Sequence, residues 1–174
     1  MHAKVTVAEA AQALADQPAS ARLELVAPFV EAAARVIKQE CQESVTRGEL
    51  HRVRSPQTSK DVSALIAITG SVGGLVIYSM PLATACEFAS RMMGEPVADM
   101  QDPIAQSAIA ELANMITGQA SIALERNGYP SDMSPPVLLL GQGSCIATFN
   151  LTRLVVPLLV SFGEFSIDIA IKGA

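Results

Sequence analysis

Two stretches of the chain carry β-type patterning, and each of them follows a helical segment. In the first stretch, residues 62–77, two runs of β-branched and other apolar residues flank Gly70-Ser71, which predicts a hairpin. The second stretch lies near the end of the sequence and contains four such runs, with a turn expected at Gly163-Glu164. The strands predicted there are 137–140, 145–151, 154–160 and 165–171.

Prolines, glycines and capping residues mark three helices around these strands. Proline is favoured in the first turn of a helix, where its missing N–H is not needed, and glycine is favoured just after the last turn. An aspartate immediately before the first turn accepts a hydrogen bond from an otherwise unpaired N–H group. The predicted helices run from Pro28 towards Gly48, from Pro81 to Gly94, and from Asp102-Pro103 to about Arg126.

The order of elements is therefore helix, strands, helix, helix, strands. The two halves, residues 28–80 and 103–171, each contain one helix followed by about three strands, which is a weak internal repeat in element order. Hairpins rather than long crossovers join the strands, so the sheet is expected to be mainly antiparallel. The fold class predicted is α/β of the α+β type, with long helices.

Composition supports one compact domain. Half of the 174 residues are hydrophobic and only 17% are charged, which is enough to bury a core and unlike a disordered chain. We predict a single domain over 23–174, preceded by an N-terminal helical extension over 1–22. No targeting segment is visible, and the apolar runs are too short to span a membrane, so a cytoplasmic location is expected.

Charge and cysteine usage exclude several classes of function. The net charge of −5 argues against nucleic acid, which needs basic patches, and suggests no membrane partner. Cys41, Cys86 and Cys145 are isolated and have no neighbouring histidine, so a metal site is not expected. A histidine-dependent hydrolase would have to use His51, which lies in a charged segment and makes a poor candidate.

The third predicted helix has a narrow polar stripe. At about 100° per residue, apolar side chains occupy most of its circumference, and Glu111 is its only charged residue between Pro103 and Leu124. The helix is therefore expected to be largely enclosed, with one polar line left open. The stripe consists of Ser107, Glu111, Asn114, Gly118, Ser121 and Glu125.

Two residues of the stripe are unfavourable within a helix. Asparagine is a poor helix former, and Gly118 costs about 1 kcal/mol relative to alanine. Such local inconsistencies often mark a functional site, and a missing side chain lets another backbone approach closely. The stripe considered alone favours a helix face that merely contacts water, with Glu111 and Asn114 as ordinary neighbours one turn apart.

The segment Glu111-Leu-Ala-Asn114-Met-Ile-Thr-Gly resembles the signature of the CheC, CheX and FliY phosphatases. That pattern is Asp or Ser, three residues, Glu, two residues, Asn, about twenty-two residues and Pro. Ser107, Glu111 and Asn114 match in register, and Pro136 follows after twenty-one residues. Similar segments from residue 25 onward extend the resemblance over most of the chain, including 27–33, 61–80, 91–95, 141–143 and 162–165.

The resemblance implies a CheC-like fold and a phosphatase that acts on the aspartyl phosphate of a CheY-type receiver domain. In that role Asn114 and Glu111 would form the catalytic pair. Asn114 would position the attacking water, and Glu111 would also bind the partner by pairing with a lysine of the receiver. Ser107 and Gly118 would belong to the partner-binding face. No cofactor of its own is implied, because the receiver holds the Mg²⁺.

One departure from the pattern concerns the first half. CheC proteins carry the motif twice, whereas the first helix here offers Glu31-Ala32-Ala33-Ala34 and lacks the asparagine. One site per chain is the CheX arrangement. The alternative function is a non-catalytic CheC-like adaptor of a flagellar switch or signalling complex, which the intact Ser107, Glu111 and Asn114 argue against. A homodimer is expected, because the apolar run from Leu151 to Ile171 is predicted to lie at a sheet edge, and such edges are usually covered.

Overall fold

A computed structural model describes residues 23–53, 57–147 and 152–173, and within them the chain forms three helices and ten strands. The predicted N-terminal helix and the end of the strand predicted over 145–151 lie outside these residues. The helices are α1 (Leu23–Cys41), α2 (Leu82–Met93) and α3 (Pro103–Arg126). The strands are β1 (Thr46–Arg47), β2 (His51–Val53), β3 (Gln57–Thr58), β4 (Val62–Gly70), β5 (Val72–Met80), β6 (Ser131–Met133), β7 (Val137–Leu140), β8 (Cys145–Ile146), β9 (Arg153–Val160) and β10 (Gly163–Gly173).

The predicted limits of α1 are wrong at both ends. The helix begins at Leu23, so Pro28 lies inside it and is not its first residue. Leu25 and Val26 are buried in the core, and this burial stabilises helix on the N-terminal side of the proline. The helix ends at Cys41 rather than near Gly48, because Gln42 adopts a left-handed conformation with φ of 55°.

The caps predicted for α2 and α3 are confirmed. Gly94 follows α2 with φ of 73°, and its N–H donates to the carbonyl of Ser90. Asp102 precedes α3, and its carboxylate accepts a 2.8 Å hydrogen bond from the N–H of Ile104. These signals are local, so the sequence alone is enough to place them.

The main sheet is antiparallel, as predicted, and its central strands come from the two different halves of the chain. The strand order is β1-β9-β10-β5-β4-β6, with β2 also paired to β9 and β7 also paired to β4. The β4–β5 hairpin turns at Ser71, as predicted. The last hairpin turns at Ser161-Phe162, two residues before the predicted Gly163-Glu164, because Gly163 already pairs with Val160.

The two halves interlock, which extends the predicted repeat. The short strand after α1 pairs with β9 of the second half, and the short strand after α3 pairs with β4 of the first half. Helices α1 and α3 are thus each followed by a strand that crosses to the other half's hairpin. The predicted α+β class, with a largely antiparallel sheet, is confirmed.

The prediction that the C-terminal run lies at a sheet edge is wrong. Strand β10 lies in the centre of the sheet, between β9 and β5, and β9 is itself paired with β1 and β2. Ile167, Asp168 and Ile169 alternate between the two faces of the sheet, and all three are buried. An apolar run with both faces buried belongs in the interior of a sheet rather than at its edge.

The face of the sheet that carries Tyr78 packs against α3. The Thr117 hydroxyl donates to the carbonyl of Ala113 at 2.8 Å, so the Tyr78 hydroxyl donates the 2.8 Å bond between the two side chains. Burial raises the pKa of Tyr78, which keeps the phenol protonated as that donor. This contact fixes the rotation of α3 about its axis and directs its opposite side outward.

A second contact joins the ends of α1 and α2 to the last hairpin. The Glu43 carboxylate accepts a 2.8 Å hydrogen bond from the Ser161 hydroxyl and lies 3.3 Å from the Arg91 guanidinium. Arg91 also stacks over the Phe162 ring at 4.5 Å and donates to the carbonyl of Cys41. The Ser161 hydrogen bond is the main cause that lowers the pKa of Glu43.

We expect Gly74→Ala to destabilise the protein by more than about 1 kcal/mol. Gly74 has φ of 150° in β5, and a Cβ atom there would overlap the carbonyl oxygen of Ala170 in β10. The matched control is Gly118→Ala, because a Cβ at that helical glycine would meet nothing within 4 Å. The control should be neutral or up to about 1 kcal/mol more stable. Urea unfolding midpoints measure both changes, and equal midpoints for the two variants would contradict the prediction.

We expect the contribution of Glu43 to stability to vanish in acid. A carboxylate whose pKa is lower in the folded state stabilises the protein above its unfolded pKa and loses that effect as the pH falls through the folded pKa. Unfolding of wild type and Glu43→Gln should therefore differ at neutral pH and converge once the pH falls below the lowered pKa of the folded state. Glu95→Gln, which removes an exposed carboxylate just after α2, is the control for the loss of one surface charge.

Candidate functional site

Helix α3 is buried on one side and open on the other. Ser107, Glu111 and Glu125 are exposed, and Asn114, Gly118 and Ser121 are half-buried, so the predicted polar stripe lies on the open side. The opposite side of the helix packs into the core. Its buried residues are Ala105, Ile109, Leu112, Ala113, Ile116, Thr117, Ala120 and Leu124.

The structure brings Glu111 and Asn114 into contact. The Asn114 Nδ2 group donates to Glu111 Oε2 at 3.4 Å across one helical turn. An amide has two N–H donors and an accepting oxygen, so one bond to Glu111 leaves capacity to hold a water molecule. The pair therefore presents a carboxylate and a neutral amide side by side on an open surface.

Ser107 lies on the same stripe, but its side chain forms a hydrogen bond within its own helix. Its hydroxyl donates a 2.9 Å hydrogen bond to the carbonyl of Pro103, one turn earlier. The structure therefore places Ser107 beside the pair without a hydrogen bond between its side chain and Glu111 among the described contacts. Its partner-binding role stays a prediction.

Gly118 opens a gap in the surface of α3. A Cβ atom at this position would meet no atom of the described chain within 4 Å outside its own stretch of helix. Internal packing therefore does not require glycine here. The missing side chain leaves a low point in the surface one turn beyond Asn114, where another molecule can approach the helix backbone.

The polar line is not the whole of the open side, contrary to the sequence prediction of an otherwise enclosed helix. Ile104 and Ile122 are 64% and 52% exposed, and Met115 is half-buried. Ile104 and Ile122 are eighteen positions apart, which is five full turns, and both project within about 20° of Glu111. The helical wheel places both isoleucines on the side of Glu111, but aliphatic side chains are by default expected to be buried.

Helix α1 runs beside α3 and carries the position of the missing second motif. Glu31 and Ala34 of α1 are both exposed, so an amide at position 34 would be surface-accessible, but alanine offers no polar group. Arg35 of α1 donates from Nε to the Gln119 side chain at 3.3 Å and links the two helices beside the stripe. The chain thus presents one Glu–Asn pair on these two helices.

The described residues contain no group of three or more histidine, cysteine, aspartate or glutamate side chains that could hold a metal ion. Burial raises the pKa of Cys41 to about 11 and also raises that of Cys86, so these thiols are protonated at neutral pH and are poor nucleophiles. Over the same residues, no helix combines the length and apolar character needed to cross a membrane.

A cavity of about 360 Å³ lies against the other face of the sheet. Its walls include Arg153 and Asp168, which are both buried, and Arg153 donates to the carbonyl of Ile146 at 3.3 Å. These residues alternate along their strands with those that face the helices. The cavity is therefore separated from the Glu111–Asn114 pair by the sheet.

Sequence comparison supports the resemblance found in the motif. The family model described as "Chemotaxis phosphatase CheX" matches residues 62–159, which is more than half of the chain. A CheY-P phosphatase CheX of Thermotoga maritima is 36% identical over 108 residues, which cover 62% of this chain and 70% of the relative. The region matched by the family model includes all of α3.

Structural comparison agrees with the sequence comparison. The fold is similar to a CheC-like superfamily protein from Shewanella sp. PV-4, with a TM-score of 0.80, 24% identity, and coverage of 88% of this chain and 100% of the other. It is also similar to the structure of the CheX–CheY–BeF3–Mg²⁺ complex from Borrelia burgdorferi, with a TM-score of 0.67 and 25% identity over 87% of this chain and 99% of the other. The chain belongs to the family of the chemotaxis phosphatase CheX.

Proposed function

We propose that this protein is a phosphatase that accelerates hydrolysis of the aspartyl phosphate of a CheY-type response regulator. The observation that carries the proposal is the contact between Glu111 and Asn114 on the open side of α3. Membership of the CheX family and the CheY-P phosphatase activity named for the Thermotoga maritima relative support it.

Asn114 is the catalytic residue of the proposed mechanism. An acyl phosphate is attacked by water in line with the leaving carboxylate, and catalysis of phosphoryl transfer is mostly positioning and charge stabilisation. A neutral amide both donates to and accepts from a water molecule, and it adds no negative charge beside the phosphoryl oxygens. The hydrogen bond to Glu111 limits the rotation of this amide and so fixes its direction.

Glu111 is the anchoring residue. It is exposed and is the only charged side chain in the first twenty-two residues of α3, so it offers a single negative charge on that part of the helix. A lysine of the receiver's active site is the proposed counter-charge. Pairing across the interface would hold α3 over the phosphorylated pocket and leave Asn114 facing the phosphoryl group.

The proposed reaction uses no cofactor bound by this chain. The Mg²⁺ that compensates the phosphoryl charge is expected on the receiver domain, where the aspartyl phosphate resides. Ser107 and Gly118 are proposed to lie within the contact surface, and a cytoplasmic location is proposed because response regulators act there.

A homodimer is also proposed, with a revised location for the interface. Strand β7 pairs with β4 through residues 137–140, and Val137 and Leu140 on it are 63% and 38% exposed. Exposed edge strands of this kind are usually covered by another chain or element. The edge available for pairing is therefore that of β7 rather than the C-terminal run.

Asn114→Ala should abolish most of the catalysis while leaving receiver affinity nearly unchanged. If the amide only orients water in the transition state, kcat should fall by about 100-fold or more and KM should barely move. Phosphate release from a phosphorylated receiver domain, followed over a range of receiver concentrations, measures both constants. Asn127→Ala, at the end of the same helix, is the matched control. Full activity in Asn114→Ala would rule out water positioning by this residue.

Glu111→Lys should weaken binding as well as catalysis. The substitution would place two cations against each other in a partly dehydrated contact, so KM should rise more than in Glu111→Ala. Circular dichroism first shows that each variant is folded. A Glu111→Lys variant with wild-type KM would mean that the carboxylate does not face the receiver's lysine.

Light scattering at micromolar concentration should report about twice the 18.2 kDa mass of one chain. Placing charges at Val137 and Leu140 should shift the mass toward the monomer, because a charged edge opposes strand pairing. A monomeric wild type would contradict the dimer, and an unaffected dimer in the charged variant would contradict the β7 interface.

A further inference from the structure

Two of the six large hydrophobic side chains that are exposed within the described residues lie on α3. They are Ile104 and Ile122, and both are more than half exposed. Isoleucine is normally among the most buried residue types. Two such side chains on the same side of one helix therefore point to an apolar contact made with another molecule.

The positions of the two isoleucines are related to the Glu–Asn pair. Eighteen residues at 1.5 Å per residue separate them by about 27 Å along the helix axis. Residue 113 is the midpoint, so Glu111 and Asn114 lie at the centre of the span. Met115 is half-buried and projects within about 20° of the same direction. We call Ile104, Met115 and Ile122 the apolar row.

We propose that the apolar row binds the receiver domain and sets which receivers this protein serves. The inference rests on the proposed function, because it makes the occupant of the row the same molecule that meets Glu111 and Asn114. A receiver that offers apolar side chains on both sides of its phosphorylated pocket, with a single cation between them, would match this surface. A receiver with charged groups at those two places would be rejected.

The dimensions of the row suit one small domain. A compact domain of about 100 residues has a radius of gyration of about 13 Å, and hence a diameter of about 34 Å. A row 27 Å long therefore spans most of one face of such a domain without extending beyond it. The row is also continuous with the Glu111–Asn114 pair, so a molecule seated over the pair reaches both ends.

The absence of other charges on α3 also favours this occupant. Glu111 is its only charged side chain before Glu125, so burying this surface removes few ionic groups from water. Apolar contacts strengthen binding without favouring the transition state over the bound ground state. Asn114 therefore governs kcat, whereas the apolar row contributes to KM together with Glu111 and determines receiver choice.

The test uses Ile104→Ser, Ile122→Ser and the double variant in the full-length chain. Isoleucine and serine have similar helix propensities, so the helix itself should be little affected. The matched control is Leu159→Ser on β9, which is 44% exposed and alternates with residues that face the helices. Circular dichroism and thermal unfolding establish that all variants are folded.

Two measurements are made with each CheY-type receiver domain of the source cell. The first follows phosphate loss after phosphorylation by acetyl phosphate and gives kcat and KM. The second titrates the receiver loaded with BeF3⁻ and Mg²⁺ and gives an affinity that does not depend on turnover. Each single variant should weaken affinity about 10-fold, and the double variant about 100-fold, because sites so far apart act additively. The value of kcat should stay within about two-fold of wild type.

Other outcomes overturn the proposal. Unchanged KM and affinity in the double variant, with an active wild type, would show that the receiver does not use the row, and the proposed phosphatase function would stand. A loss of dimer mass with unchanged receiver affinity would assign the row to a second copy of this chain. A lower KM would mean that a segment of this chain competes for the row. A wild type that acts on no phosphorylated receiver would instead defeat the proposed function itself.

Discussion

The antiparallel pairing of β10 with β5 is the interaction on which the rest of the structure depends. It joins Ser166–Gly173 of the second half to Val72–Ser79 of the first half and occupies the centre of the sheet. Gly74 allows the two backbones to meet without a Cβ between them. Because each half contributes one hairpin to this centre, neither half completes the sheet without the other. The short strands β1 and β6 each pair with the hairpin of the opposite half, so they too form only when both halves are present.

The position of the functional surface follows from that sheet. One face buries Tyr78, which holds α3 through Thr117, and this contact sets which side of the helix is left uncovered. The pair of Glu111 and Asn114 therefore lies on a rigid helix backed by the core rather than on a loop. Groups that must hold a water molecule in one position gain from such support, because small displacements are costly for catalysis.

The reaction proposed for this chain requires neither a metal site nor a nucleophile on the chain itself. The described residues contain no metal-binding cluster, and the buried thiols are protonated. A carboxylate and an amide suffice if the partner supplies the reactive acyl phosphate and its metal ion. The first half retains Glu31 but has Ala34 where an amide would be needed. The internal repeat is therefore present in the fold, but of helices α1 and α3 only α3 carries a Glu–Asn pair. A surface built this way has to recognise its partner by shape and apolar contact as well as by charge.

The sequence by itself determined the features that depend on near neighbours in the chain. The Asp102 cap, the end of α2 at Gly94, the Ser71 turn and the spacing of Glu111 and Asn114 follow from backbone preferences and helical periodicity. Only the tertiary structure decided which surfaces are covered. It placed Pro28 inside α1, put β10 at the centre of the sheet, and left Ile104 and Ile122 exposed. Burial is set by residues distant in the chain. A helical wheel therefore cannot distinguish an isoleucine that packs into the core from one that stays exposed.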